Sequence, residues 1–179
     1  VVVGPTLLLT SSNNVGNCCS GDYITYLMTC DASNIQYTWE REFNSNLEQA
    51  YASGSGAKIN ERIYNYTNTL ENVTYNITMK TSNGCQATYP VYATVNPLPE
   101  ISVSESEVKI AAGATRTLYI TDANPASGSI TSLRSAIATA NFNSLTNELT
   151  VNAIQVGYTE LVYKTKCINN CVNEIIIPV

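Results

Sequence analysis

Six cysteines, Cys18, Cys19, Cys30, Cys85, Cys167 and Cys171, are the residues of this chain whose type and spacing promise chemistry. No histidine accompanies them, so a Cys/His zinc array and the commonest general base are both missing. None of the six stands in a CxxC pair. An even cysteine count in a chain rich in Tyr and Asn points instead to disulfides and an oxidising compartment. Cys167 and Cys171 flank Ile168, Asn169 and Asn170, a spacing that staples a hairpin if the two Cα atoms approach within about 7 Å. The other four allow three connectivities.

Without histidine, catalysis would need paired carboxylates, a Ser-Lys pair or a cysteine nucleophile. Glu40 and Glu42 share a strand phase, but two carboxylates on an alternating strand read as a solvated outer face. The three aspartates, Asp22, Asp31 and Asp122, are far apart and lack the Asp-x-Asp patterning of a calcium loop. Tyr64, Tyr66, Tyr89 and Tyr92 could be drawn together as an aromatic platform for sugars, although Tyr is also a favoured strand residue. Asn65, Asn72 and Asn76 head N-x-[ST] sequons, which fit an exterior location and weakly invite glycans. These residues imply no catalytic site, no cofactor and no bound metal.

Composition narrows the partners. Charged residues make up 13% of the chain and the formal net charge is −5. Lys and Arg form no stripe, which argues against nucleic acid. No run approaches the roughly 20 apolar residues of a membrane helix. The chain opens on Val without a signal peptide, so it reads as a processed form or a trimmed fragment.

The elements that position these residues read as strands. Over residues 23–30, Ile24, Tyr26, Met28 and Cys30 fall on one face and Tyr23, Thr25, Leu27 and Thr29 on the other, and over 36–43, Tyr37, Trp39 and Arg41 share one phase. Trp39, the single Trp, is expected as the core anchor of a sandwich. Residues 58–64 form another strand. The stretch 73–99 is a long hairpin, in which Tyr75, Ile77 and Met79 alternate, Asn83-Gly84 supplies a tight turn, and Val91, Ala93 and Val95 resume the alternation. Pro97-Leu98-Pro99 then makes a stiff linker.

In this order and spacing, Cys19-Ser20-Gly21, Tyr37-Thr38-Trp39 with Arg41, Ser53-Gly54-Ser55-Gly56, Ile59 with Glu61, Val73-Thr74-Tyr75, Asn83-Gly84-Cys85 and Val95-Asn96-Pro97 resemble the PKD-like repeat of large secreted and surface proteins of Bacteroidota. The resemblance covers about half the chain and implies an Ig-like sandwich, often arrayed in tandem on adhesins, with no active site to carry over. It also implies a Cys19–Cys85 disulfide, which leaves Cys18 to Cys30.

After the linker, Ile101-Ser102-Val103, Val108-Lys109-Ile110, residues 117–121, 137–141, 148–153, 159–166 and 172–179 read as the strands of a second sandwich. Glu107-Val108, Ile110, Gly113, Arg116-Thr117-Leu118 and Gly157-Tyr158-Thr159-Glu160-Leu161 are similar to bacterial Ig-like group 2 domains. Residues 132–140 hold good helix formers, but the β-rich setting favours a strand there. The expected fold is thus all-β, two tandem Ig-like β-sandwiches over 1–96 and 101–179 joined by a linker at 97–100.

Both termini are apolar without clear alternation. Val1, Val2, Val3, Leu7, Leu8 and Leu9 form either an edge strand of their own domain or a strand donated to a neighbouring copy. Residues 174–179 pose the same question, because adjacent isoleucines call for cover on both faces. Three functions follow. The leading one is a non-enzymatic extracellular subunit of a filament that polymerises with copies of itself through donated strands. The alternatives are an Ig-like stalk repeat of a cell-surface adhesin contacting neighbouring Ig-like domains, and an accessory or carbohydrate-binding module of a secreted hydrolase.

Overall fold

The computed structural model describes residues 6–122, 124–167 and 169–179. The chain divides into two compact units, Val1–Pro97 and Leu98–Val179, and each is an all-β sandwich.

In unit 1, five strands make one sheet: β1 (Asn14–Cys19), β3 (Gln36–Arg41), β4 (Ala52–Ser55), β6 (Glu71–Lys80) and β7 (Gln86–Asn96), in the order β1-β7-β6-β3-β4. The opposing layer pairs β2 (Tyr23–Leu27) with β5 (Lys58–Arg62). The β6–β7 hairpin is the longest element, and its phase decides the core. Val73, Tyr75, Ile77 and Met79 of β6 and Val91, Ala93 and Val95 of β7 point inward against Ile24, Tyr26, Met28, Ile59 and Ile63. A strand with one wet face must alternate, and here the pattern does so without a break. Gly84 closes the hairpin at φ +88°, a conformation that glycine reaches without steric cost.

The amino-terminal segment settles its own ambiguity. Leu7 is buried in the unit 1 core, Leu8 is exposed and Leu9 packs partly inward, so residues 7–9 alternate after all. The segment lies along the β2 layer, through a Leu9–Cys30 bridge and bonds from the Thr10 amide to the Thr29 carbonyl and from the Asp31 amide to the Leu8 carbonyl. After Ser12 the chain crosses to the other sheet, where β1 runs parallel to β7. The expectation that Leu7, Leu8 and Leu9 leave their domain is therefore corrected, because Leu7 and Leu9 pack on their own core and the segment is bonded to its own β2 layer. Val1, Val2 and Val3 lie outside the described residues.

Unit 2 holds β8 (Ile101–Val103), β9 (Thr115–Asp122), β10 (Ser129–Ser132), β11 (Ala138–Asn143), β12 (Glu148–Ala153), β13 (Glu160–Lys166) and β14 (Val172–Pro178), with a short 3-10 turn at Pro125–Ser127. The sheets read β11-β12-β9-β8 and β10-β13-β14. This is the four-plus-three strand order of a constant-type immunoglobulin domain. Val108, Leu118, Ile120, Leu149, Val151, Leu161, Tyr163 and Ile177 fill its core. Residues 133–137 are a turn rather than strand or helix, and the strand expected at 137 begins at Ala138. The last strand also alternates: Ile177 is buried, whereas Ile176 is 54% exposed. Its adjacent isoleucines are thus covered on one face only.

Candidate functional site

The cysteines come first, and their pairing departs from the expected one. Cys18, Cys30, Cys85 and Cys167 carry free thiols, so none of the three expected pairs is formed. Cys19 is in register with Asn96 at the far end of β7, while Cys85 immediately precedes its start. At about 3.3 Å per residue the two are roughly 35 Å apart, far beyond disulfide reach. Cys18 is in register with Val95, which pairs with Glu71. Cys30 interacts with Tyr37, which pairs with Met79. About eight residues of β6, roughly 26 Å, therefore separate that pair as well. At the last hairpin the Cys167 amide donates to the Cys171 carbonyl, but Cys171 is 1% exposed while Cys167 stays half-buried. The free Cys167 thiol rules out that bridge here.

The other candidates scatter too. Glu40 and Glu42 lie on the exposed face of β3 and its extension, where Glu42 accepts from Asn76 Nδ2 at 3.2 Å. Tyr89 turns toward the core and donates to the Leu7 carbonyl at 2.8 Å, whereas Tyr92 is exposed on the opposite face of β7. Tyr64 lies under the Arg62 guanidinium, 5.0 Å from the ring centre. No single platform joins these tyrosines. Asp31 accepts from the Leu8 amide at 2.9 Å, and this bond, with the Cys30 thiol second, holds its carboxyl below the usual carboxylate range. Among the described residues no three of His, Cys, Asp and Glu gather to hold a metal.

The sequons separate sharply. Asn65 is buried, and its Nδ2 donates to the Thr69 and Val95 carbonyls at 2.7 and 3.0 Å. Its Oδ1 accepts from the amide and hydroxyl of Thr67, both at 2.8 Å. That amide is a structural tie in the folded unit. Asn72 and Asn76 stand on the outer face of β6.

Two buried polar clusters were not foreseen. In unit 1, Arg41 is 1% exposed. Its Nε donates to Glu61 Oε1 at 3.0 Å, its Nη2 to the Gln49 carbonyl, and its Nη1 finds no partner. The Tyr75 hydroxyl donates to Glu61 Oε2 at 2.6 Å. Burial first, then the bond to Glu61 and its charge, push the Tyr75 phenol far above its ordinary value. In unit 2 the Tyr163 hydroxyl donates to Asp122 Oδ2 at 2.7 Å, and burial followed by that bond raises its phenol likewise. Arg41 shares the strand phase of Tyr37 and Trp39, which was the available signal for its burial. Trp39 itself is only partly buried, edge-on to Tyr75 at 5.7 Å between ring centres.

These clusters sit inside packed cores. Among the described residues, one surface cleft of about 320 Å³ in unit 2 is lined by Val108, Ile110, Ile137, Val156, Tyr158 and Val179 among others. A shallow one of about 490 Å³ runs along β1, β6 and β7 past Asn14, Asn17, Asn72, Tyr92 and Thr94. Neither lining pairs a nucleophile with a base.

Residues 16–99 match the PKD-like domain family, so the first unit is a PKD-like domain. The second is an Ig-like β-sandwich, by the strand order given above. No curated protein matches the chain. Among solved structures, the chain is similar to the eight amino-terminal Ig domains of Down syndrome cell adhesion molecule. Identity there is 12% and the TM-score 0.46, over 97% of this chain and 27% of that one. A glucan-utilisation protein of Bacteroides ovatus, SGBP-B, solved with a mixed-linkage heptasaccharide, gives 13% identity and a TM-score of 0.37 over 97% and 48%. The Dpr2 Ig1-Ig2 complex with DIP-Theta gives 15% and 0.34 over 96% and 63%. The chain thus spans less than two thirds of either of the last two, and likeness at this level carries no argument for it.

Proposed function

We propose that this chain is a non-enzymatic, extracellular stalk segment of a cell-surface adhesin, a PKD-like module followed by an Ig-like one. The observation that carries the reading is the use of the polar chemistry. Arg41, Glu61, Tyr75, Asn65, Asp122 and Tyr163 all spend their hydrogen bonds inside the sandwiches. What faces outward on β6 and β7 is a ladder of Asn, Thr and Tyr, with Thr78 and Thr88 hydroxyls 2.9 Å apart across the strands. Such a surface spaces and solvates.

The filament reading is the weaker one, since Leu7 and Leu9 are consumed by their own core. Antibody raised against the chain and applied to intact producing cells tests the stalk reading. Labelling that a protease shave removes is the expected result. Labelling seen only after permeabilisation would overturn it.

A further inference from the structure

We propose that the outer face of unit 1 carries a saccharide-binding groove over β1, β6 and β7, built for a neutral, hydroxyl-rich glycan chain. The groove goes beyond the stalk reading, since a stalk needs only to space what it carries. Three neighbouring strands supply its geometry. Asn17 of β1 is in register with Thr94 of β7, and Thr94 with Asn72 of β6, which makes one row of polar side chains about 10 Å wide at roughly 4.8 Å per strand step. Asn14, Tyr92 and Thr74 make a second row, about 7 Å along the strands from the first. The floor is Val73 and Ala93, whose side chains turn into the core.

The depth of the groove has a local cause. The register of β1 on β7 shifts between Asn14 and Gly16, so the edge strand bulges there. Gly16 takes φ +101° at the bulge, its amide donating to Asn14 Oδ1 at 2.8 Å, and nothing lies within 4 Å of where a Cβ would stand. The cleft that results, about 490 Å³, falls within the roughly 300–1,000 Å³ of small-ligand sites.

The lining selects a class of ligand. Among the described residues it holds no charged side chain, and Glu71, which opens β6, is taken by Asn44 Nδ2 and Asn46 Nδ2 at 3.0 and 2.9 Å. An ionic ligand finds no counter-charge. Other amides of this unit are spent on the protein, that of Asn76 on Glu42 and that of Asn96 on the Cys18 carbonyl. The side chains of Asn17, Asn72, Tyr92 and Thr94, by contrast, make no hydrogen bond among the described residues. Each carboxamide offers two donors and an accepting oxygen, and a vicinal diol, which both donates and accepts, satisfies that set. Tyr92 is 48% exposed, and its ring presents an apolar body with a polar tip against which the C–H face of a sugar ring can lie. A lipid or an apolar peptide would bury these amides unpaired, so that class is disfavoured.

Amide-resolved NMR titration of the whole chain, made in a host that adds no glycan to the Asn72 sequon, tests this. The probes are cellohexaose, mannohexaose and xylohexaose, with sialyllactose and a heparin hexasaccharide as charged controls. At least one neutral probe should shift the amides of residues 14–17, 72–74 and 92–94 saturably below about 10 mM, and the charged controls should not. Tyr92→Ala should weaken that binding by about tenfold or more, Tyr92→Phe by about threefold at most, and Asn17→Ala or Asn72→Ala by roughly 2–10-fold each. All three residues are exposed, so the variant spectra should superpose on the native one away from the groove. No shift from any neutral probe, shifts centred elsewhere, preference for a charged control, or undiminished binding by Tyr92→Ala would overturn the groove. None of these results touches the stalk reading, which stands or falls on surface labelling.

Discussion

Arg41 Nε lies 3.0 Å from Glu61 Oε1 inside the unit 1 sandwich, joining β3 of one sheet to β5 of the other. The side chains are 1% and 10% exposed. Removing one partner strands a buried charge. Glu61→Ala should cost about 3–5 kcal/mol, whereas replacing both partners by apolar residues of similar volume, Arg41→Met with Glu61→Leu, should recover most of that loss. Urea denaturation followed by Trp39 fluorescence measures both, and additive costs in the double variant would show that the pair is not coupled.

Cys18 supplies a pH dependence. Burial, helped by the negative charge of Asp22, pushes its thiol from 9.0 to about 11. The unfolded chain therefore gives up this proton before the folded one does. The contribution to stability is complete below about pH 9 and is lost as pH rises through about 11. Cys18→Ser should flatten that segment of the stability profile. An unchanged slope in the variant would assign the loss to other groups, the raised Tyr75 and Tyr163 phenols among them.

Two glycines mark close approaches to aromatic rings. A Cβ at Gly54 would stand 2.6 Å from Trp39 Cζ2, and one at Gly128 would stand 2.8 Å from Phe142 Cε1 and closer still to the Tyr163 hydroxyl. Gly54→Ala and Gly128→Ala should each destabilise their own unit by about 1–3 kcal/mol through overpacking. Gly84→Ala, with nothing within 4 Å but a φ of +88°, should cost about 1 kcal/mol through backbone strain alone. Equal losses at all three positions would argue against the steric account.

Leu7 distinguishes a resident strand from a donated one. Its side chain is 2% exposed among residues of its own unit. Leu7→Ala should destabilise unit 1 by about 2–5 kcal/mol and leave the sedimentation coefficient of the folded chain unchanged. Polymers that disappear in the variant would restore the donated strand.

Asn65 and Asn72 should behave oppositely in a eukaryotic secretory host, with glycan on Asn72 and none on Asn65. Mass spectrometry of tryptic glycopeptides reads this directly. Asn65→Ala should also cost about 1–3 kcal/mol, because the Val95 carbonyl would lose a buried donor.

The amino-acid order alone marked the longer strands and their inward faces, since alternation of Ile24, Tyr26 and Met28, or of Val73 through Met79, follows from a two-residue repeat that any one-sided sheet must obey; β1, β4 and β10 are short and polar and carry no such repeat, and residues 108–110, expected as a strand, form none. The PKD-like spacing was legible for the same reason, its turn glycines and strand phases being local. Which strands become neighbours is not local. That β1 lies parallel to β7, with Cys19 opposite Asn96 rather than near Cys85, depends on the chain crossing between sheets after Ser12, and no repeat in the sequence encodes the distance that results. The same holds for Arg41. Its phase put it on the inner face, but only the opposing sheet, bringing Glu61 and Tyr75 to its guanidinium, decided that a charge could stay there.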